Sequence, residues 1–223
     1  MRFIKKGKEP NSLMEYKKQS NAYYDGCNKS DIRKALLKEQ GYLCAYCMRR
    51  ISEENMTIEH YDAQSKISEK DALDYNNMLG VCLGNRDSKK RGNLTCDTHK
   101  GKEKLTCDAH RGNEVLTVNP FEKATIDFIK YDNDGKIYSE NSNIDKDLNL
   151  TLNLNCRQVL LKENRRKALE ALKKKLIKLK PASKWNREFL KKIIRRYEAP
   201  DANGKFEPYS GIILYYLKKK LDR

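Results

Sequence analysis

Five of the chain's seven cysteines and all three of its histidines fall between Cys44 and His110, a clustering that constrains the 223-residue chain more than any other feature. Two of the cysteines form a Cys-x-x-Cys knuckle, Cys44-Ala45-Tyr46-Cys47. A knuckle of this kind sets two thiolates on one side of a tight turn, suited to two corners of a tetrahedral zinc site. Cys82 is a candidate third ligand, and Cys96 and Cys107 compete for the fourth position. These last two sit in near-copies of one block, Leu94-Thr95-Cys96-Asp97-Thr98-His99-Lys100-Gly101 and Leu105-Thr106-Cys107-Asp108-Ala109-His110-Arg111-Gly112. An odd cysteine count argues against a framework of disulfides. A redox dithiol needs a strand–CxxC–helix in a βαβ setting, whereas Cys44 and Cys47 fall in an expected hairpin. Cys27 stands apart as a buried or incidental thiol.

Zinc held by four cysteines is coordinatively closed, so it staples a small element and leaves the chemistry to other groups. Hydrolysis of a phosphodiester needs a base for water, a divalent metal to stabilise charge, and ligands that leave that metal open positions. His60 suits the base, because imidazole titrates near neutrality. Glu59 is a hard ligand of the kind Mg²⁺ or Mn²⁺ takes. Asn77 is placed to hydrogen-bond the His60 strand and fix the imidazole. A further histidine, His99 or His110, is available to complete metal ligation.

The formal net charge is +16, which favours polyanionic partners, nucleic acid first. Residues 157–223 hold 21 Lys+Arg against 7 Asp+Glu, a net of +14, so the excess is concentrated at the C-terminal end. The distribution suggests chemistry in the middle of the chain and grip or partner docking at its end. No apolar run approaches the ~18 residues of a membrane span. The charged opening residues lack the apolar stretch of a secretory signal, so a cytoplasmic location is expected.

Periodicity places a short helix near Ser12, and a second one capped at Ser30-Asp31 and stopped at Gly41. Residues 42–51 read as strand, knuckle and strand. A β-run at 56–58 delivers Glu59-His60, and residues 75–81 enter a packed segment. Residues 83–93 read as an exposed loop able to touch phosphate. Residues 115–118 are extended. A hairpin is expected from 126–131 and 136–138 about Asp132-Asn133-Asp134-Gly135, whose two aspartates lack the remaining ligands of a calcium loop. The alternation at 148–155 is a strand by period, or a loop leading into a helix. Helices follow at 157–180, with Leu160, Ile177 and Leu179 on its apolar face, and at 184–197 and 212–221.

Ile58-Glu59-His60, Asn76-Asn77-Met78-Leu79-Gly80-Val81-Cys82 and the Cys-Asp-x-His-[Lys/Arg]-Gly block resemble the HNH (ββα-metal) endonuclease superfamily. The flanks Leu43-Cys44-Ala45-Tyr46-Cys47-Met48, Leu116-Thr117-Val118-Asn119-Pro120, Leu152-Asn153-Leu154-Asn155 and Pro208-Tyr209-Ser210-Gly211 are most similar to the PtuB branch, the nuclease component of Septu-type anti-phage systems, some of which accompany retrons. The resemblance implies an α+β fold: a zinc-stapled ββα-metal core with flanking helices and a basic helical C-terminal region. It implies a metal-dependent endonuclease with His60 as general base, Glu59 as metal ligand or metal-adjacent acid, Asn77 as the orienting residue, and His110 or His99 as the final histidine. This chain departs from the family pattern by carrying the block twice, eleven residues apart. Continuity from Cys107 to Asn119-Pro120 favours the second copy, while the first lies at a more usual distance from Cys82. DNA is the favoured substrate, with RNA such as tRNA open. The implied partners are an ABC/SMC-like ATPase of PtuA type and, in a retron setting, a reverse transcriptase with its RNA–DNA.

The expected organisation is an N-terminal helical, partner-contacting segment (1–41), the nuclease core with its knuckle (42–120), a β-hairpin and connector (121–155) and the basic helical region (156–223). The competing reading is a non-catalytic zinc-finger protein that binds nucleic acid or acts as a scaffold. Glu59-His60 speaks against it, since a finger has no use for a positioned carboxylate and imidazole outside its zinc shell.

Overall fold

A computed structural model describes residues 1–85, 105–157 and 159–222. Most of the expected loop at 83–93, with Cys96 and His99 beyond it, lies outside the described residues. The architecture is α+β, with two small antiparallel sheets set among helices.

Helix α1 (Asn11–Tyr16) is followed by α2 (Lys29–Glu39), whose cap is Asn28. The Asn28 side chain accepts from the amides of Ser30 and Asp31, which moves the helix start ahead of the expected Ser30-Asp31. Ile32, Leu36 and Leu37 bury the inner face of α2. At its end the side chain of Gln40, itself buried, donates to the carbonyls of Leu43 and Gly80 and accepts from the Gly80 amide. One amide group thereby ties the knuckle to the sheet. Residues 42–51 form a turn closed by a single Leu43–Arg50 bridge rather than two strands. Tyr42 and Met48 take positive φ there, and the Cys44 amide donates to the Arg49 carbonyl and the Ile51 amide to the Tyr42 carbonyl.

Strand β1 (Met56–His60) pairs antiparallel with β2 (Met78–Cys82), His60 opposite Met78 and Met56 opposite Cys82. Every residue of β2 is buried, in keeping with its apolar Met-Leu-Gly-Val-Cys sequence. After β2 the described chain resumes at Leu105, and α3 (Asp108–Arg111) packs at the mouth of the hairpin. Gly84 makes this approach feasible. It takes φ +55, and a Cβ there would sit 2.2 Å from the Thr106 carbonyl oxygen and 2.6 Å from the Ala109 Cβ. Residues 115–118 join no sheet, and the chain bends at Thr117-Val118, where the buried Asp147 carboxylate accepts from both amides.

Two expectations give way in the following segment. The expected strand at 126–131 is a short helix, α4 (Lys123–Asp127), followed by β3 (Ile129–Tyr131). Thr125 folds the chain back by exchanging hydrogen bonds with the amide and carbonyl of Asn119. The hairpin itself is present: β3 pairs with β4 (Ile137–Ser139), and the Asp132 carboxylate accepts from the amides of Asp134 and Lys136. The alternating run at 148–155 is not a strand. Helix α5 (Ser142–Lys146) continues into a π-helical turn, Asp147–Thr151. Ile144, Leu148 and Leu152 lie four residues apart and are all buried, so a helical period hidden within the alternation decides the outcome.

The C-terminal helices are α6 (Leu161–Leu179), α7 (Arg187–Glu198) and α8 (Ser210–Leu221). Helix α6 starts later than expected because Leu160 adopts a left-handed conformation, and its side chain is exposed. The buried stripe is Leu161, Arg165, Leu169, Leu172 and Leu176. Ile177 and Leu179 fall off it by helical geometry and face outward. Arg165 earns its burial through bonds to the carbonyls of Gly135 and Leu154 and to the Asn155 side chain. No helix among the described residues is long and apolar enough to cross a membrane.

Candidate metal centre and histidine site

The sulfurs of Cys44, Cys47, Cys82 and Cys107 lie within 4.8 Å of one another, and all four residues are buried. The knuckle supplies two, the last residue of β2 the third, and the residue before α3 the fourth. Individual separations are 3.7 Å for Cys47–Cys82, 3.8 Å for Cys82–Cys107 and 4.0 Å for Cys44–Cys107. Disulfide sulfurs would stand about 2.05 Å apart. A tetrahedron with metal–sulfur bonds of about 2.3 Å has edges of about 3.8 Å, so the cluster could hold a metal ion such as Zn²⁺. The electrostatics agree. Hydrogen bonds from Cys107, Cys44 and Cys82 hold the Cys47 thiol well below its ordinary range, while Cys44 and the other neighbours push Cys107 well above it. One buried thiolate is tolerated and its neighbours resist the next, a penalty that a divalent cation removes.

Glu59 and His60 end β1 and point to opposite faces of the strand. Glu59 is buried, and its Oε1 accepts from Arg111 Nη1 at 2.5 Å and from the Tyr46 hydroxyl at 3.2 Å. The same guanidinium donates to the carbonyls of His60 and Tyr61 and, through Nε, to Glu114. Arg111 therefore bolts α3 to the end of the strand that carries the histidine. Asp108, one helical turn earlier, is a hydrogen-bonding neighbour of Glu59. Burial, then Asp108, raises the Glu59 carboxyl to about 9, with Arg111 opposing.

The His60 ring is covered edge-on by Tyr24, with 4.5 Å between ring centroids, and is 7% exposed. Its Nε2 lies 2.8 Å from the Ala72 carbonyl oxygen. A carbonyl can only accept, so Nε2 carries the proton and Nδ1 is left with its lone pair. Burial lowers the His60 pKa below the ordinary value, which favours that neutral form. Asn77 brackets the residue two steps on: its Oδ1 accepts from the Asp62 amide at 2.7 Å and its Nδ2 donates to the Asp62 carbonyl at 3.0 Å. Asn77 thus fixes the chain leaving β1 rather than the imidazole itself. His110, on α3, has Nδ1 2.9 Å from the Thr151 carbonyl oxygen, so Nδ1 is the protonated nitrogen and, in the neutral tautomer, Nε2 is the one able to accept or ligate.

The structure brings the four cysteines together, and Arg111 joins Glu59 to the backbone of His60. The two described histidines bind separate carbonyls on separate elements. Reasoning from sequence did not assign Tyr46, Asp108 or Arg111 a role. The signal for the last two was the doubled block, which keeps an acid after its cysteine and a base after its histidine in both copies.

No protein-family model matches the chain. A curated protein of Escherichia coli, named for an HNH endonuclease of retron Ec83, is 30% identical over 118 residues, spanning 45% of this chain and 46% of the relative. The chain thus spans less than half the length of the curated relative it matches.

Proposed function

We propose that this chain is a metal-dependent HNH-type endonuclease that hydrolyses phosphodiester bonds, stapled by zinc at Cys44, Cys47, Cys82 and Cys107. The observation that carries the reading is the state of the two histidines. His60 and His110 each have one ring nitrogen donating to a backbone carbonyl, which in the neutral tautomer turns the other nitrogen into the acceptor. Carbonyl partners of this kind orient catalytic and metal-binding imidazoles. His60 Nδ1 takes a proton from the attacking water, and the Ala72 carbonyl stabilises the imidazolium that results. Arg111, at the His60 and Tyr61 carbonyls, and Asn77, at Asp62, hold the backbone that leaves the ring in place. His110 Nε2 is the imidazole donor offered to Mg²⁺ or Mn²⁺, and the Glu59–Asp108 carboxyl pair is the acidic one. Among the described residues these three do not converge to ligand distance as the four cysteines do, so the ion would need them to move together or to be bridged by water. A close carboxylate pair with a raised pKa fits such an ion, because it must share a proton or take a cation. When bound, the ion offsets charge on the phosphate and the leaving oxygen.

DNA is the favoured substrate, with RNA such as tRNA the second. The relative's name supports a retron setting, and the anti-phage role rests on the motif resemblance alone. The motif flanks support the Septu, PtuB-like branch, controlled by a PtuA-type ATPase and, in a retron, working beside a reverse transcriptase and its RNA–DNA. The burial of His60 under Tyr24 favours one other reading, a zinc-stapled nucleic-acid-binding scaffold without catalysis.

The deciding experiment compares nicking of plasmid DNA and cleavage of tRNA by the native chain and by His60→Ala, with zinc content measured in both. Cleavage that requires added Mg²⁺ or Mn²⁺ and disappears in the zinc-loaded variant is the expected result. Equal cleavage by both proteins removes His60 from the reaction. A native protein that binds and never cuts leaves the scaffold reading.

A further inference from the structure

A cavity of about 410 Å³ opens between α6, α8 and the β3–β4 hairpin. It shares no lining residue with the cysteine and histidine site. Leu169 and Ile212 contribute apolar wall, and the rings of Tyr138, Tyr215 and Tyr216 line it. Lys173, Lys219 and Lys220 also line it, arranged around the rings: Lys173 Nζ is 5.2 Å and Lys220 Nζ 5.8 Å from the Tyr216 centroid, and Lys219 Nζ is 5.9 Å from that of Tyr215.

The charges here are arranged differently from those nearby. Lys218, on the same turn of α8, pairs with Glu198 at 3.0 Å, and Lys130 pairs with Glu140 at 2.5 Å. Among the described residues, none of the three cavity lysines has a carboxylate partner. Asp132, the acid in the lining, spends Oδ1 on the amides of Asp134 and Lys136, and Lys173 reaches only the neutral Asn133 side chain. Lysines at a helix C-terminus suit the helix dipole. That accounts for Lys218, Lys219 and Lys220 alike, and explains neither the aromatic cavity nor Lys173, which belongs to α6. A concave site of aromatic faces with uncompensated cations is the arrangement that stacks a base and neutralises its phosphate.

We propose that this cavity is a nucleotide-binding site, in which a base packs against Tyr216 and its phosphate meets Lys173, Lys219 and Lys220. The nucleotide arrives as part of a single strand or as a free molecule. The site is independent of hydrolysis, and a binding assay without added divalent metal keeps its failure distinct from failure of the nuclease reading.

The zinc-loaded full chain is titrated, by fluorescence anisotropy, against a labelled oligothymidylate, with thymidine 5′-monophosphate as competitor. The native protein is compared with Tyr216→Ala, with Tyr216→Phe, which keeps the ring, and with a Lys173→Ala, Lys219→Ala, Lys220→Ala triple variant. Circular dichroism confirms that each is folded. The expected result is about a ten-fold loss for Tyr216→Ala with affinity retained by Tyr216→Phe. The triple variant loses more than ten-fold at low salt, and its salt slope flattens by about 0.7, the amount for the one phosphate the three lysines meet. Competition by the monophosphate at similar affinity assigns a free nucleotide, and competition by unlabelled strand alone assigns a polymer; both uphold the site. No binding, or binding that Tyr216→Ala or the triple variant leaves unchanged, overturns it.

Discussion

Replacing Arg111 by methionine should cost the protein a large part of its stability while leaving the size of the side chain nearly intact. Arg111 donates to Glu59 Oε1 and the Tyr61 carbonyl at 2.5 Å, to the Glu114 carbonyl at 2.7 Å, to the Tyr46 hydroxyl at 3.1 Å and to the His60 carbonyl at 3.3 Å. Its side chain is 1% exposed and that of Glu59 is 9% exposed, so water cannot take over these bonds. With its carboxyl raised to about 9, Glu59 is largely protonated at neutral pH, so the loss is counted as unmet hydrogen bonds. Removing the guanidinium leaves the Glu59 carboxyl, the Tyr46 hydroxyl and three backbone carbonyls short of a donor, at about 1–3 kcal/mol for each buried group left unsatisfied, or roughly 3–5 kcal/mol in all. A domain of ordinary stability has about 5–15 kcal/mol in total. Methionine keeps an unbranched apolar stem, so lost packing contributes little. The assay is urea unfolding of zinc-loaded protein at neutral pH, with native, Arg111→Met, Glu59→Gln and double-variant proteins. Arg111→Met alone should lose about 3–5 kcal/mol, and the double variant should recover at least ~1 kcal/mol of the summed losses. A loss under ~1 kcal/mol, or strictly additive variants, would refute the view that this pair holds α3 to β1.

Three further outcomes follow from the same geometry. Cys107→Ser should lower bound zinc well below one per chain, measured by elemental analysis, whereas Cys156→Ser, outside the sulfur cluster, should leave it unchanged. Gly84→Ala, at φ +55 with Thr106 and Ala109 in its way, should destabilise the protein by more than ~1 kcal/mol and reduce zinc retention in a chelator challenge; full retention would show that the approach of Cys107 tolerates a Cβ. Burial depresses the His60 pKa, so the imidazole stays neutral below its ordinary 6.5 and ionises only at lower pH. The acid limb of any cleavage profile should therefore lie below pH 6.5, and stability tied to neutral His60 should be lost as pH falls through the depressed value. Tyr24→Ala, which uncovers the ring, should move the limb upward, and a limb at or above pH 6.5 in the native protein contradicts this account.

What could be read from the sequence is what depends on short-range chemistry. The knuckle at Cys44 and Cys47, and the β-run carrying Glu59-His60, need only local spacing, and both stand in the structure. The sequence left Cys96 and Cys107 open as the fourth sulfur because their blocks are near-copies. The choice is a matter of tertiary distance, and the Cys107 sulfur lies in the cluster. The alternation at 148–155 misled because one leucine set satisfies both a two-residue and a four-residue period. Only packing of Leu148 and Leu152 with Ile144 separates them. Leu160 was assigned to a helix by its apolarity, and its left-handed backbone cannot be inferred from that. The pairing of Glu59 with Arg111 joins residues 52 positions apart, so neither residue type nor local period could announce it.

The short helix α3 shows why the metal centre and the histidine site form one unit. Its four residues are far fewer than the ~12 that a helix needs to persist by itself. It is fastened at one end by Cys107 and at the other by Arg111, with His110 between them. Cys107 takes φ +57 and ψ −139, a conformation that costs a residue with a Cβ about 1–3 kcal/mol. Metal binding by four thiolates, worth about 10 kcal/mol or more, would offset that strain. Removing the metal releases the first fastening, restores repulsion among the thiolates, and leaves the Arg111 contacts to hold the helix alone. Chelation should then speed hydrogen exchange at 105–112 before it does so at the His60–Met78 end of the β1–β2 ladder, which lies at the opposite end of the strands from Cys82. The measurement is exchange followed by mass spectrometry on native and chelated protein. Unchanged protection at 105–112 after zinc loss would mean that the Glu59–Arg111 pair suffices to seat His110.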